Sequence, residues 1–230
     1  SYNADAVCIQ IIEDDGSSEN EQDISSVTER HIKRIYPKMT CPGVGLPEIL
    51  ETKIFDPLTT QELLAGKTIN TFNSQGKLCH ISSYDADENF LYSEEKTYNH
   101  FGQIGSETHK DGHQNLFTYD DVGNLASIIS SRDNSTVSYS YDFRNQLIRT
   151  AELVDEHISI KENIFDNKGR KTSEIDRFGN TTNYEYDEFG RLLKVIFPPV
   201  QDAEGNAQRP TFNYSYDIFG NVISETDLCN

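Results

Sequence analysis

At 230 residues the chain is long enough for one large domain or two small ones. Only 35% of residues are hydrophobic, Trp is absent and Met occurs once, against 12 Tyr and 12 Phe; this excludes a thick aliphatic core and favours short, half-exposed strands. A formal net charge of -18, with no opposing Lys/Arg cluster, repels phosphate backbones and anionic lipid and argues against nucleic-acid binding.

The amino-terminal "SYNADAVCIQII" lacks the basic start and apolar middle of a signal peptide, and no apolar run approaches the ~18 residues of a membrane-spanning helix. "AVCIQII" and "VTERHIKRIY" read as strands on either side of the acidic run "EDDGSSENEQD" (13–23), a solvated loop without the alternate-oxygen spacing of a calcium site. "YPKMTCPGVGLPE" (36–48), rich in Pro and Gly, reads as an irregular connection. Residues 1–47 therefore form a non-repetitive segment ahead of a repeat array over 48–230. Cysteines at 8, 41, 79 and 229 include no CxxC pair, and fit neither a zinc site nor a dense disulfide framework.

From residue 72 one template recurs: aromatic, Asp or Asn, two free positions, Gly, a polar residue, then usually an aliphatic one. Its seven copies are "FNSQGKL" (Phe72, Gly76), "YNHFGQI" (Tyr98, Gly102), "YDDVGNL" (Tyr119, Asp120, Gly123), "YDFRNQL" (Tyr141, Asp142, Asn145), "FDNKGRK" (Phe165, Asp166, Gly169), "YDEFGRL" (Tyr186, Asp187, Gly190) and "YDIFGNV" (Tyr216, Asp217, Gly220). Successive starts lie 21 to 26 residues apart, apart from a final step of 30. Between them a looser, Asp-led turn recurs at "DADEN" (85–89), "DGH" (111–113), "DNS" (133–135), "DEH" (155–157), "DRFGN" (176–180) and "DAEGN" (202–206), with "FDPLTT" (55–60) a degenerate earlier member. Two alternating turns per repeat leave segments of strand length, so an antiparallel β-hairpin meander of about a dozen strands follows.

The template has a geometric reason. In "YDEFGRL" a three-residue loop places Glu188 and Phe189 in right-handed helical geometry and Gly190 in the left-handed region, a type I turn closed by a glycine bulge. Asp187 suits the first turn position, where its carboxylate accepts backbone N–H groups, and Tyr186 faces Leu192. Asn145 replaces glycine in one copy, and Asn is the next best residue for positive φ. The chain stops where the next Asp-led turn is due, so it reads as a fragment of a longer array.

Repeated carboxylates resemble the acid/base pairs of glycosidases, but an active site needs one singular constellation and these occur in nearly every turn. "HKDGH" places His109 and His113 four apart. On a helix that spacing would suit a zinc enzyme, yet here it flanks a predicted turn and no Glu follows the first His, so two loop histidines are favoured over a weak metal site. No nucleophile motif such as GxSxG occurs. The expectation is a non-enzyme with no catalytic, cofactor or metal residues.

These copies resemble the Rhs or YD-repeat family, whose members include bacterial Rhs proteins, components of insecticidal toxin complexes and the YD shells of teneurins. The resemblance covers roughly 48–230 and rests most on "YEYDEFGRLLKV", "YDDVGNL" and "YDIFGNV". It implies an all-β sheet of hairpins that curves or spirals into a segment of a hollow shell. In bacterial members that shell encloses a toxic carboxyl-terminal polypeptide, which would be a partner here beside neighbouring repeats of the same longer chain. It also implies a secreted or cell-surface setting. The family's DPxG self-cleavage signature is not matched, since "DPLT" (56–59) lacks the glycine, so no protease residues carry over. A rival expectation is a surface binding module that recognises glycan or protein through a tyrosine-rich sheet.

Overall fold

The computed structural model describes residues 8–14, 30–41, 43–56, 58–59, 61–201 and 207–228. Most of the acidic run 13–23, the turn "DAEGN" and Cys229 lie outside them. Among the described residues there is no helix, and so none long and apolar enough to cross a membrane. Seventeen strands belong to one antiparallel sheet, and two short ones form a separate ribbon. This is the all-β hairpin meander that the alternating turns predict. By packing, the chain divides into two compact units, Ser1–Leu116 and Phe117–Asn230.

The first unit opens with β1 (Gln10–Asp14), which pairs with β2 (Arg30–Pro37) from Gln10↔Arg34 to Asp14↔Arg30. β3 (Pro47–Asp56) and β4 (Gln61–Phe72) make the longest hairpin, followed by β5 (Leu78–Tyr84), β6 (Phe90–Tyr98) and β7 (Ile104–Thr108). β8 (Gln114–Tyr119) pairs with β7 and carries the boundary between the units.

The second unit continues through β9 (Leu125–Ser130), β10 (Thr136–Tyr141), β11 (Leu147–Val154), β12 (His157–Phe165), β13 (Lys171–Ile175), β14 (Thr181–Tyr186) and β15 (Leu192–Ile196). β16 (Val200–Gln201) and β17 (Ala207–Gln208) form the separate ribbon inside the insertion 197–210. β18 (Thr211–Tyr216) then resumes the sheet on β15, and β19 (Val222–Leu228) pairs with β18.

Burial is thin everywhere. Among the described residues the buried hydrophobic side chains are Ile32 and Val195, one in each unit. Backbone ladders, turn hydrogen bonds and half-buried aromatic contacts therefore carry the stability that a packed core supplies in most domains. Pairing registers put Tyr184 against Val195 and Val195 against Phe212, so the buried valine of the second unit lies between two aromatic cross-strand neighbours. Phe212 also meets Phe197 edge-on, with centroids 5.7 Å apart. The alternation of aromatic and polar residues thus builds one half-buried face, not a core.

Candidate functional site

The repeated turns share one construction. In the "YDEFGRL" turn, Asp187 N donates to the Arg191 carbonyl at 2.9 Å and Gly190 N to the Asp187 carbonyl at 3.1 Å, with Gly190 at φ +88. The ladder slips by one residue between Glu185 and Tyr186, which leaves Tyr186 opposite Leu192. This is the loop of a type I turn followed by a left-handed residue and a bulge. Asn145 holds the left-handed position in its copy at φ 63. Phe72, Tyr98, Tyr141, Phe165 and Tyr216 sit at the same slip in their hairpins, beside turns whose left-handed residues are Gly76, Gly102, Asn145, Gly169 and Gly220. Tyr119 ends β8 immediately before the turn Asp120–Asn124, where Gly123 has φ +95.

The carboxylates face inward onto these turns. Asp217 Oδ1 accepts from Phe219 N at 2.9 Å and Asn221 N at 2.8 Å, and its Oδ2 accepts from the Asn221 amide at 2.8 Å. Asp142 accepts from Arg144 N and Gln146 N, and Asp120 from Val122 N and Asn124 N. The Asn221 side chain, then its backbone N–H, hold the Asp217 carboxyl below the usual carboxylate range. At Asp166 the Arg170 N–H is the main downward pull, opposed by partial desolvation and reinforced by the Arg170 guanidinium. At Asp187 partial desolvation pushes upward but is outweighed by the backbone and guanidinium of Arg191. A carboxylate kept ionised by fixed N–H donors is a poor proton donor, so this arrangement suits turn closure and not general acid catalysis.

Several turns of the intervening class differ from their Asp-led description. Asp85 and Asp176 build the same five-residue turn as the main template. "DEH" is a two-residue turn with Asp155 and Glu156 both at positive φ and Val154 paired with His157. The "DNS" turn runs from Ser130 to Ser135, and "DGH" begins two residues before its Asp, at His109. Asp56 is the first residue of a true turn, accepting from Leu58 N at 2.9 Å and Thr59 Oγ1 at 2.7 Å.

The structure also shows two contacts between repeats that the turn pattern alone does not reveal. The first is made by the motif tyrosine. Tyr216 Oη donates to the Leu192 carbonyl at 2.7 Å, Tyr186 Oη to that of Lys171 at 2.8 Å, Tyr141 Oη to that of Leu125 at 3.0 Å and Tyr98 Oη to that of Leu78 at 2.7 Å. Each acceptor stands two residues past the left-handed residue of the preceding copy. Phe165 and Phe72 have no hydroxyl, and in both copies an Asn two residues earlier substitutes. Asn163 Nδ2 donates to the Leu147 carbonyl at 3.0 Å and Asn70 Nδ2 to that of Pro47 at 2.8 Å. The signal was present in the sequence as "NIF" and "NTF" where other copies have Tyr.

The second contact joins turn to turn. Arg191 donates Nε to Asp187 Oδ2 at 2.6 Å and Nη1 to the Asp217 carbonyl of the next turn at 3.1 Å, and its guanidinium lies 4.8 Å from the Tyr216 ring centroid. Arg170 repeats this with Asp166, the Asp187 carbonyl and the Tyr186 ring. Gln146 Nε2 reaches the Gly169 carbonyl at 2.8 Å and Asn124 Nδ2 the Asn145 amide oxygen at 3.0 Å. In the first unit Lys77 reaches the Gly102 carbonyl. Polarity at the position after the left-handed residue thus has a purpose in these five copies, where it ties the hairpin to the following one.

No candidate catalytic constellation forms among these residues. Among the described residues no group of three His, Cys, Asp or Glu side chains is placed to hold a metal ion. Cys8, Cys41 and Cys79 are free thiols.

Fold and contacts together define an array of clasped antiparallel hairpins. Residues 165–198 match the RHS Repeat family model. Over 131 residues, 56% of this chain, it is 32% identical to the tRNA nuclease WapA of Bacillus subtilis, and a WapA of Bacillus spizizenii gives the same figures. The chain spans 5% of the length of each of these relatives. Among solved structures it resembles the TcdB2-TccC3-Cdc42 crystal structure with a TM-score of 0.59 and 17% identity, over 96% of this chain and 13% of that one. The Photorhabdus luminescens Tc holotoxin pore gives 0.57 and 18%, over 95% and 12%. The stretch 165–198 is therefore an RHS repeat, and the fold of the chain is similar to that of the Tc toxin structures.

Proposed function

We propose that the chain is a non-catalytic wall segment of an RHS shell that encloses a toxin or effector polypeptide within a larger bacterial protein. In this reading residues 48–230 are the wall and 1–47 its non-repetitive lead. Neighbouring repeats of the same longer chain are its immediate partners, an enclosed carboxyl-terminal polypeptide is its cargo, and its setting is secreted or at the cell surface. The observation that carries this is where the recurring chemistry of the repeat is spent. Motif tyrosines and the carboxylates beside them are committed to backbone groups of their own and adjacent hairpins, which builds a continuous surface and leaves no reactive constellation. The alternative of a glycan-binding tyrosine face fits less well, because the motif hydroxyls are already occupied by carbonyls.

Protease challenge of the full-length parent protein tests containment. The carboxyl-terminal polypeptide should resist digestion in the native protein and be lost rapidly when Tyr186→Ala and Tyr216→Ala together unclasp three hairpins. Digestion of that polypeptide in the native protein as fast as in isolation would overturn the proposal. Glycan-array binding that disappears with Tyr184→Ala or Tyr214→Ala would instead support the binding module.

A further inference from the structure

The connection between β2 and β3 is built on the plan of the motif turn, although its sequence hides the likeness. Lys38 N donates to the Leu46 carbonyl at 2.7 Å and Gly45 N to the Lys38 carbonyl at 2.9 Å, with Gly45 at φ +84. Asp187 N and Gly190 N make the same two bonds, to the Arg191 and Asp187 carbonyls. The ladder slips between Tyr36 and Pro37, which leaves Pro37 opposite Pro47 as Tyr186 stands opposite Leu192. Pro37, Lys38, Gly45, Leu46 and Pro47 thus hold the places of Tyr186, Asp187, Gly190, Arg191 and Leu192. Residues 39–44 stand where that copy has only Glu188 and Phe189.

The next copy engages this turn as it would a preceding copy. Asn70, two residues before Phe72, donates Nδ2 to the Pro47 carbonyl at 2.8 Å, and Pro47 stands two residues past the left-handed Gly45. Asn163, two residues before Phe165, bonds in the same way to Leu147, two residues past Asn145. The reach from turn to turn is present too, made by backbone where Arg191 uses its side chain. A Cβ at Gly76 would lie 3.8 Å from Gly43 Cα, and one at Gly43 would lie 3.7 Å from Phe72 Cγ and 3.1 Å from Leu46 Cδ1. Leu46 N donates to the Gly43 carbonyl at 3.0 Å, which holds this fold-back in place. Towards β1 the clasp stops. Pro37 carries no hydroxyl, and Ile35, where Asn70 and Asn163 stand in their copies, carries no amide.

We propose that β2 and β3 are a further, expanded copy of the repeat, one that closes the clasped series on its β1 side. The clasped wall of this chain then begins at Arg30 and not at residue 48, and the segment 39–44 is an insertion within a motif turn. Terminal members of a repeat array depart from the common pattern because one of their sides meets no like neighbour. The departures here have that polarity: the donors that would serve the β1 side are gone, whereas the carbonyl that serves the following copy is kept. Lys38 replaces the capping carboxylate and pairs instead with Glu48 at 3.2 Å. The word wall rests on the containment reading, but the identity of this hairpin as a repeat does not, and it is tested on the chain without any cargo.

A graft into the whole chain provides the test. Exchanging Lys38–Leu46 for Asp-Glu-Phe-Gly-Arg, the sequence of 187–191, should preserve the far-ultraviolet circular dichroism and keep the melting midpoint within about 4 °C of native. The same graft ending in Ala should melt lower than the one ending in Arg, by an amount similar to the effect of Arg191→Ala. Only the arginine can reach the Asn73 carbonyl as Arg191 reaches that of Asp217. Asn70→Ala should lower the midpoint about as far as Asn163→Ala does, since both remove the same bond. A graft that does not fold, or whose Arg and Ala forms melt alike, would overturn the proposal. So would an Asn70→Ala chain that melts with the native one.

Discussion

In the second unit the two ends of the strands are built to different standards. At the motif end the turns Asp142–Gln146, Asp166–Arg170, Asp187–Arg191 and Asp217–Asn221 are of one length, and side chains link each to the next. At the opposite end a two-residue turn at Asp155 and Glu156 stands beside a longer Ser130–Ser135 loop, a five-residue Asp176–Asn180 turn and the insertion 197–210. The difference teaches where the repeat is constrained. Loop length is free wherever a turn answers only to its own hairpin, and fixed where one turn must reach another.

The largest test of that contrast sets two aromatic residues against each other. Tyr186→Ala removes a half-buried ring, its hydroxyl bond to Lys171 and the face on which Arg170 lies, and should cost about 2–3 kcal/mol. Phe178, at the opposite end, is 78% exposed, and its replacement by Ala should stay within about 0.5 kcal/mol. Urea denaturation of the two variants reads the difference. Equal losses would mean that the motif end holds no special share of the stability.

Backbone changes should differ in sign. Gly190→Ala places a side chain at φ +88 and should destabilise by about 1–2 kcal/mol. At the opposite end Asp155 and Glu156 already bear that strain, at φ 46 and 66. Exchanging them together for Asn and Gly should stabilise by about 1 kcal/mol, since this pair suits a two-residue turn with both central residues at positive φ. Thermal melts of both variants suffice.

A subtler pair probes the hydroxyl clasp. Tyr186→Phe leaves the Lys171 carbonyl without its donor and should cost about 1 kcal/mol. Phe165→Tyr should gain almost nothing, because Asn163 already occupies the Leu147 carbonyl. The double change Phe165→Tyr with Asn163→Ala should recover most of what Asn163→Ala alone loses; failure to do so would show that the two donors are not equivalent.

How much of this was legible beforehand follows the range of the interactions. Turn type, bulge and facing pairs such as Tyr186 and Leu192 could be read because they depend on residues within one hairpin. The contacts of Tyr216 with Leu192 and of Arg191 with Asp217 join hairpins 24 and 26 residues apart, and a spacing pattern does not say which neighbour a side chain reaches. His109 hid for a related reason. Asp111 looked like the head of its turn, and only the backbone bonds of His109 show that the imidazole holds that place.

Acidification offers the finest division between a cap and a link. Asp187 at the motif end and Asp176 at the opposite end are both held below the ordinary carboxylate value, Asp176 chiefly by the Asn180 side chain. A carboxyl with a lowered folded value contributes its full stabilisation above its unfolded value, near 3.8, and loses it as pH falls through the folded one. Stability from these groups should therefore be level between about pH 7 and pH 5 and decline below about pH 4. Asp176→Asn and Asp187→Asn should each make that decline shallower, since both remove one such carboxylate. They should part company at neutral pH under salt. Asp187 also anchors the guanidinium that reaches Asp217, so in Asp187→Asn the link to the next hairpin loosens, whereas Asp176→Asn disturbs one turn alone. Amide hydrogen exchange at Phe219 and Gly220 should accelerate in the first variant and stay unchanged in the second; identical exchange in both would reduce the arginine link to a surface contact of no consequence.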